Sequence, residues 1–489
     1  MASLQSGMRR AITQLSRSSF VCRQCLRQQR AFSPPSSPSP IPSSLRASSR
    51  RYESTTAQAP PASSFAGSVS AAASELKAQS TASASSSSSS SSSRTSSFPE
   101  TNSKSVGFFL LASAASVFGI VVFGGLTRLT ESGLSITEWR PVTGSLPPLS
   151  LEDWQSEFDK YRASPEYKLL NPHMTLDEFK KIYYMEWTHR LWGRFIGLSF
   201  VIPSVYFIAR RRVTKRMALG LVGISGLIGF QGVIGWWMVK SGLHDDLFAP
   251  GSHPRVSQYR LTAHLAAAFV CYSAMLLAGL SVLRTNRLIK DPAAASAALK
   301  ALQSPALIPL RRYVTALTAL VFLTALSGAL VAGLDAGLIY NEFPKMGTGL
   351  TPPRSELWSD FYSRRADRSD VWWRNMLENP SLVQLDHRIL ATTTFFAVMA
   401  LWAYTRRSGR VKAALPRDVG KGVMGLVHLV SLQVALGIST LIYMVPTHLA
   451  ATHQAGALAL LSGALVLGSR MRVSPRTIKL VQKRLLTRV

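Results

Sequence analysis

The chain has little cysteine and little acid. Three cysteines stand among 489 residues: Cys22, Cys25 and Cys271. Cys22 and Cys25 form a CxxC, a spacing used by metal and redox sites, but they lie in a segment expected to be removed. Cys271 stands alone in an apolar run and reads as packing. A disulfide framework and a cysteine-based metal centre are therefore excluded from the mature chain. Asp and Glu number 25 against 55 Lys and Arg, a net charge of +30. Such an excess raises the possibility of a nucleic-acid partner. The cations, however, sit in short clusters between long apolar runs, which is the pattern of a polytopic membrane protein and argues against nucleic acid.

The shortage of acid is complete at the start. Residues 1–52 hold nine arginines, no lysine and no Asp or Glu; the first acid is Glu53. Rich in serine as well, they have the composition of a mitochondrial presequence. Residues 53–105 continue as Ala/Ser-rich sequence, with "SSSSSSSSS" at 85–93. A segment so poor in large apolar residues cannot bury a core and reads as a disordered tether.

What is abundant is apolar length. A bilayer needs about 20 mostly apolar residues per helix, and eight stretches qualify: 106–127, 187–208, 217–239, 261–283, 313–334, 385–404, 422–444 and 448–469. The fold class expected is an all-α polytopic membrane protein. The clusters "ARRRVTKR", "RTNRLIK", "LRR", "TRRSGRVK" and the basic tail 470–489 all fall on one side if the spans alternate. The positive-inside rule then puts both termini in the mitochondrial matrix and the long loops 128–186 and 335–382 on the other side of the inner membrane.

The chain also repeats itself. "ESGLSITEWRPVTGSLPP" (131–148) answers "DAGLIYNEFPKMGTGLTPP" (335–353), "THRLWG" answers "DHRILA", "QGVIG" (231–235) answers "QVALG" (433–437), and "LTAHLAAA" answers "AATHQAGA". A four-helix unit used twice in parallel is the simplest account. It gives two pseudo-symmetric bundles, 106–283 and 313–469, joined by a matrix linker at 284–312.

His189, His264, His387 and His453 open spans two, four, six and eight at one depth. Two imidazoles facing each other across a bundle ligate a haem iron axially. Four ligands closing one tetrahedral site is the competing geometry, but the repeat divides them into two pairs, and no Cys or Met lies at matching depth for copper. His428 reads as an interhelical hydrogen-bonder; His173, His244 and His253 fall in loops. His448 rivals His453 but lacks the repeat match. Arg190, Arg194 and Arg388 stand beside the histidines, either to hold haem propionates or to snorkel to headgroups. Glu186 lies one helical turn before His189, where the second half has Gln384. A titratable acid near one pair and a neutral amide near the other suggests a working site in the first half and a cofactor site in the second.

With these residues on the page, the sequence resembles the mitochondrial haem A synthases. "GGLTRLTESGLSITEWRPVTGSLPP" (124–148), "EWTHRLWGR" (186–194), "RLTAHL" (260–265), "LDHR" (385–388) and "ATHQ" (451–454) carry the resemblance, over about residues 105–470. It implies an oxidoreductase that converts the C8 methyl of haem O to a formyl group, making haem A for cytochrome c oxidase by two hydroxylations and loss of water. It implies haem O handled at His189 and His264, with Glu186 catalytic in proton transfer or in stabilising a cationic intermediate. It implies haem B on His387 and His453; Arg190 and Arg388, from their place beside the histidines, are the cofactor-binding arginines expected. A ferredoxin electron partner on the matrix side, self-association and handover from the haem O synthase follow as expectations. The cysteine pair that many bacterial members carry in an outer loop is missing at 128–186 and 335–382, so a thiol step in those loops is excluded. A di-haem bis-histidine electron-transfer cytochrome is the rival reading; it shares the histidines but has no use for Glu186 or haem O.

Overall fold

The computed structural model describes residues 98–140, 142–243 and 255–487. The presequence, Cys22, Cys25, the Ala/Ser-rich segment up to residue 97, His244 and His253 lie outside the described residues. The helices that position the site are α1 (Lys104–Leu129), α2 (Leu151–Arg162), α3 (Pro165–Leu170), α4 (Leu176–Ala209), α5 (Lys215–Gly242), α6 (Gln258–Lys290) and α7 (Pro292–Leu302). They continue with α8 (Ile308–Gly333), α9 (Val371–Glu378), α10 (Pro380–Arg407), α11 (Arg417–Ile442), α12 (Thr447–Arg470) and α13 (Pro475–Leu486). Among the described residues there is no β-strand; the single β-bridge joins Met346 and Gly349.

Eight long helices stand where the apolar runs predict spans. Seven of them are long and apolar enough to cross a membrane by length and composition. The eighth, α10, falls short because Thr392, Thr393 and Thr394 interrupt its apolar stretch and Arg388 and Arg406 bracket it. Large apolar side chains such as Phe195, Leu198, Ile202, Leu219 and Phe230 remain exposed on the spans, as helices in contact with lipid require.

The eight form two rings. In the first, α1 packs on α4 and α6, and α5 closes the ring between them; in the second, α8 packs on α10 and α12, and α11 closes it. The rings meet through α1 and α6 of the first half and α8 and α12 of the second. Their shared core runs from Leu110 and Phe269 to Leu317 and Leu461 and includes Cys271, which is packing as its surroundings predict.

Helix ends differ from the apolar boundaries where charge ends hydrophobicity without ending the helix. The run predicts a span from 187, but α4 starts at Leu176. Thr175 and Glu178 form a capping box there, satisfying backbone donors that a helix start leaves free. Its 34 residues extend about 51 Å, well beyond the roughly 30 Å apolar layer. The projecting outer end packs Phe179 and Tyr183 against Trp154, Phe158 and Tyr161 of α2. At the opposite end, the predicted linker and basic tail pair up. The apolar stripe of α13 packs Val481 on Ala295 and Leu299 of α7.

The halves stop their first helix alike. Glu131, just past α1, has φ 52, and its repeat mate Asp335, just past α8, has φ 49. Both are left-handed stops of the kind that close helix C-termini. Arg128 crosses from the first half to donate to the carbonyls of Ala332 and Gly333 and to Asp335. Arg255 pairs with both acids, Glu131 and Asp335.

Candidate functional site

Each of the four histidines leans on a glycine of the neighbouring helix. His189 of α4 lies over Gly124 of α1, where an added Cβ would stand 2.8 Å from the ring Cε1. His264 of α6 lies over Gly235 of α5 at 3.6 Å, His387 of α10 over Gly328 of α8 at 3.2 Å, and His453 of α12 over Gly437 of α11 at 2.9 Å. An alanine would collide with the ring at Gly124 and Gly437, press on it at Gly328 and clear it at Gly235. His387 and His453 face each other with ring centroids 6.5 Å apart and planes at 88°. Two imidazoles bound to opposite sides of one iron through bonds of about 2 Å put their centroids roughly 6 Å apart. The second pair therefore fits a bis-histidine haem. The Nδ1 atoms of His189, His264 and His453 are buried without a hydrogen-bond partner, whereas that of His387 lies 2.7 Å from Ser327 Oγ. Among the described residues no three His, Cys, Asp or Glu side chains gather as a metal site; the four histidines do not close one tetrahedron.

Behind the fourth helix of each half stands a glutamine. Gln231 Nε2 donates to the carbonyl of His264 at 3.2 Å, and Gln433 Nε2 to that of His453 at 2.8 Å. These bonds tie the histidine-bearing turns of α6 and α12 to α5 and α11. Neither these glutamines nor the cradle glycines is among the residues singled out from sequence. The signal was present: "QGVIG" and "QVALG" place Gln and Gly four residues apart, on one helix face, in both halves.

Glu186 is almost fully buried, at 3% exposure, and its carboxylate accepts four hydrogen bonds. Oε2 takes Ser135 Oγ at 2.7 Å and the Ile136 amide at 2.8 Å. Oε1 takes Arg190 Nε at 3.0 Å and Arg190 Nη2 at 2.7 Å. Arg190 also donates to the carbonyls of Glu138 and Ile136, and Arg194 donates to that of Arg140. In the second half Gln384 Nε2 donates to the Tyr340 carbonyl, and Arg388 donates to the carbonyls of Tyr340 and Lys345. The repeat-related pairs Glu186–Arg190 and Gln384–Arg388 do the same job: each fastens the outer loop of its half over the histidine end of the bundle. Arg190 has every nitrogen engaged, whereas Arg388 keeps its Nε buried without a partner.

The remaining histidines fall away from this arrangement. His428, expected to bond between helices, is on the exposed face of α11, and His448 and His173 are exposed. Apolar neighbours on α11 already fill its inward face, so the histidine points outward. One further acid went unremarked in the sequence. Glu166 of α3 is buried at 5% exposure, with Oε2 lacking a partner. Burial first, then the negative Glu186 and Glu131 nearby, push its carboxyl up to about 8.

Comparisons with known proteins bear on the family of the whole chain. A family profile described as cytochrome oxidase assembly protein (COX15-CtaA) matches residues 107–465. The protein named Heme A synthase COX15 from Saccharomyces cerevisiae is 52% identical over 371 residues, 76% of each chain. The human protein of the same name is 43% identical over 385 residues, 78% of this chain and 86% of the relative. A Schizosaccharomyces pombe protein named Heme A synthase-mitochondrial ferredoxin fusion protein is 50% identical over 373 residues, 76% of this chain and 60% of the relative.

Proposed function

The chain belongs to the COX15-CtaA family of cytochrome oxidase assembly proteins, and on that footing we propose how it works as a mitochondrial haem A synthase. It is an oxidoreductase of a membrane-spanning helical fold, and its substrate is haem O, whose methyl group it oxidises to the formyl group of haem A. The observation that carries the site assignment is the set of four histidines, each over a glycine of the adjacent helix.

In this reading the first bundle, 106–283, holds the substrate between His189 and His264, and the second, 313–469, holds haem B between His387 and His453. When bound, haem B supplies one-electron chemistry between the substrate site and an external partner. Gly124, Gly235, Gly328 and Gly437 set the distance at which each ring stands from its neighbouring helix. Gln231 and Gln433 hold the ligand-bearing turns in register. Glu186 places a negative charge one turn from His189. Ser135, Ile136 and Arg190 hold that carboxylate in place, and its role in this reading is proton transfer or stabilising positive charge at the reacting carbon. Arg388, with an Nε to spare, is the arginine suited to a haem propionate; Arg190 acts through the outer loop it fastens.

The S. pombe fusion supports a ferredoxin-type electron partner for this chain. The clustered cations support an inner-membrane orientation with both termini in the matrix, where the linker 284–312 and tail 470–489 also lie. Self-association and delivery by the haem O synthase complete the proposal.

The test is haem extraction and chromatography of the protein purified from cells that supply haem O. Haem B together with haem O or haem A is the expected result. Haem B alone, with haem O abundant in the membrane, would instead make the chain a di-haem-type electron-transfer cytochrome.

A further inference from the structure

The two halves differ at the residue just before the cradle glycine of their first helix. In the second half that residue is Ser327, before Gly328; in the first it is Phe123, before Gly124. The rings stand over their glycines in the same way, with Nδ1 at 3.8 Å for His387 and 3.4 Å for His189 from the built Cβ position. What meets each Nδ1 is different.

Ser327 Oγ donates its only proton to the Thr324 carbonyl at 2.8 Å. With that proton on the carbonyl, the same oxygen is an acceptor toward His387 Nδ1, 2.7 Å away. This arrangement selects the neutral His387 tautomer with its proton on Nδ1, which leaves the Nε2 lone pair for a metal. An acceptor on the far nitrogen also makes the imidazole a stronger donor and fixes its ring. Phe123 has no such oxygen. Its ring lies parallel to that of His189, at 7° and 6.4 Å between centroids, and His189 Nδ1 is buried without a partner. The first-half ring is steadied by the Gly124 backbone and by stacking on Phe123, with no hydrogen bond to fix its tautomer or its donor strength.

We propose that this residue decides whether each half keeps or releases its haem: Ser327 makes His387 a retained ligand, and Phe123 leaves His189 a releasable one. The inference rests on the reading that haem B resides in the second half while haem O enters and haem A leaves the first. Ser327 is a positioning residue; it acts only through His387. A substrate site needs the opposite property, and the stacked phenyl ring supplies it.

The test uses the full chain loaded with haem B and haem O, with transfer of each haem to excess apomyoglobin followed by absorbance and chromatography. Ser327→Ala should speed loss of haem B about 10–100-fold and raise its midpoint potential, because a weaker donor favours the ferric iron less. Ser327→Thr keeps the oxygen and should restore both values. Phe123→Ser should slow release of the first-half haem. An unchanged rate and potential in Ser327→Ala, or loss of haem B that Ser327→Thr does not correct, would overturn the proposal, as would unchanged release in Phe123→Ser. His387→Ala separates this from the reading beneath it. If that variant keeps haem B, the cofactor assignment falls; if it loses haem B while Ser327→Ala behaves as wild type, only the role of Ser327 falls.

Discussion

At the scale of single residues, the proposed site divides into histidines that would bind and glycines that make room for their rings. The histidines were legible because titratable side chains inside apolar runs stand out, and because the repeat returns them in register. The glycines were not legible, since glycine is frequent in membrane helices for general packing reasons and only the structure shows which ones lie under a ring. A graded response follows. Gly437→Ala and Gly124→Ala should each weaken haem binding in their half by about 1–3 kcal/mol of overpacking, whereas Gly235→Ala, with 3.6 Å of clearance, should bind nearly normally; haem content after purification distinguishes the three. Glu186→Gln should leave both haems bound and lower haem A formation about 100-fold or more, the usual scale for losing a charge aimed at a transition state. Normal haem A output from that variant would remove Glu186 from the chemistry. Glu166 gives a pH dependence outside the membrane. Its folded carboxyl, at about 8, holds a proton that the unfolded chain has already lost above about 4.5. The folded state then binds more protons, so stability falls as pH rises between those values. Glu166→Gln should flatten that fall, seen as thermal midpoints at pH 6 and pH 9 that differ less than in the parent.

At the scale of elements, the eight apolar runs gave the eight long helices because, inside lipid, a helix satisfies its own backbone. The outer end of α4 could not be read the same way. Asp177, Glu178, Lys180 and Lys181 end the hydrophobicity, but the capping box and the aromatic cluster with α2 sustain the helix. Thr175→Ala should cost about 1 kcal/mol. It should loosen amide-exchange protection over residues 176–183 while leaving haem content intact, because His189 stands further along α4 against Gly124. The roles of Arg190 and Arg388 were equally hidden: sequence places them beside the histidines, but the carbonyls they fasten belong to loops whose path no periodicity reveals.

At the scale of the whole molecule, duplication is what made the architecture readable, and departures from duplication are where function separates the halves. Glu186 against Gln384 was visible in the sequence; Phe123 against Ser327 became meaningful only when each was found touching its histidine. The halves are also sewn together at the C-terminal ends of α1 and α8 by Arg128, which the second half replaces with Ala332, the residue whose carbonyl Arg128 holds. Arg128→Ala should lower unfolding stability by about 2 kcal/mol, the scale of partly buried charged hydrogen bonds. Combined with Asp335→Ala it should cost less than the sum of the two, as measured by thermal unfolding in detergent.

The floor beneath each histidine ring is bare backbone. No side chain lies there to bend or change rotamer, so the width of each slot is the distance between two helices. Whatever alters that distance, a thicker bilayer or a different lateral pressure among the lipids, is delivered to the ring without a cushion. With haem held on these rings as proposed, the same polypeptide moved between detergent, thin vesicles and native lipid should shift its haem spectrum while its sequence stays the same.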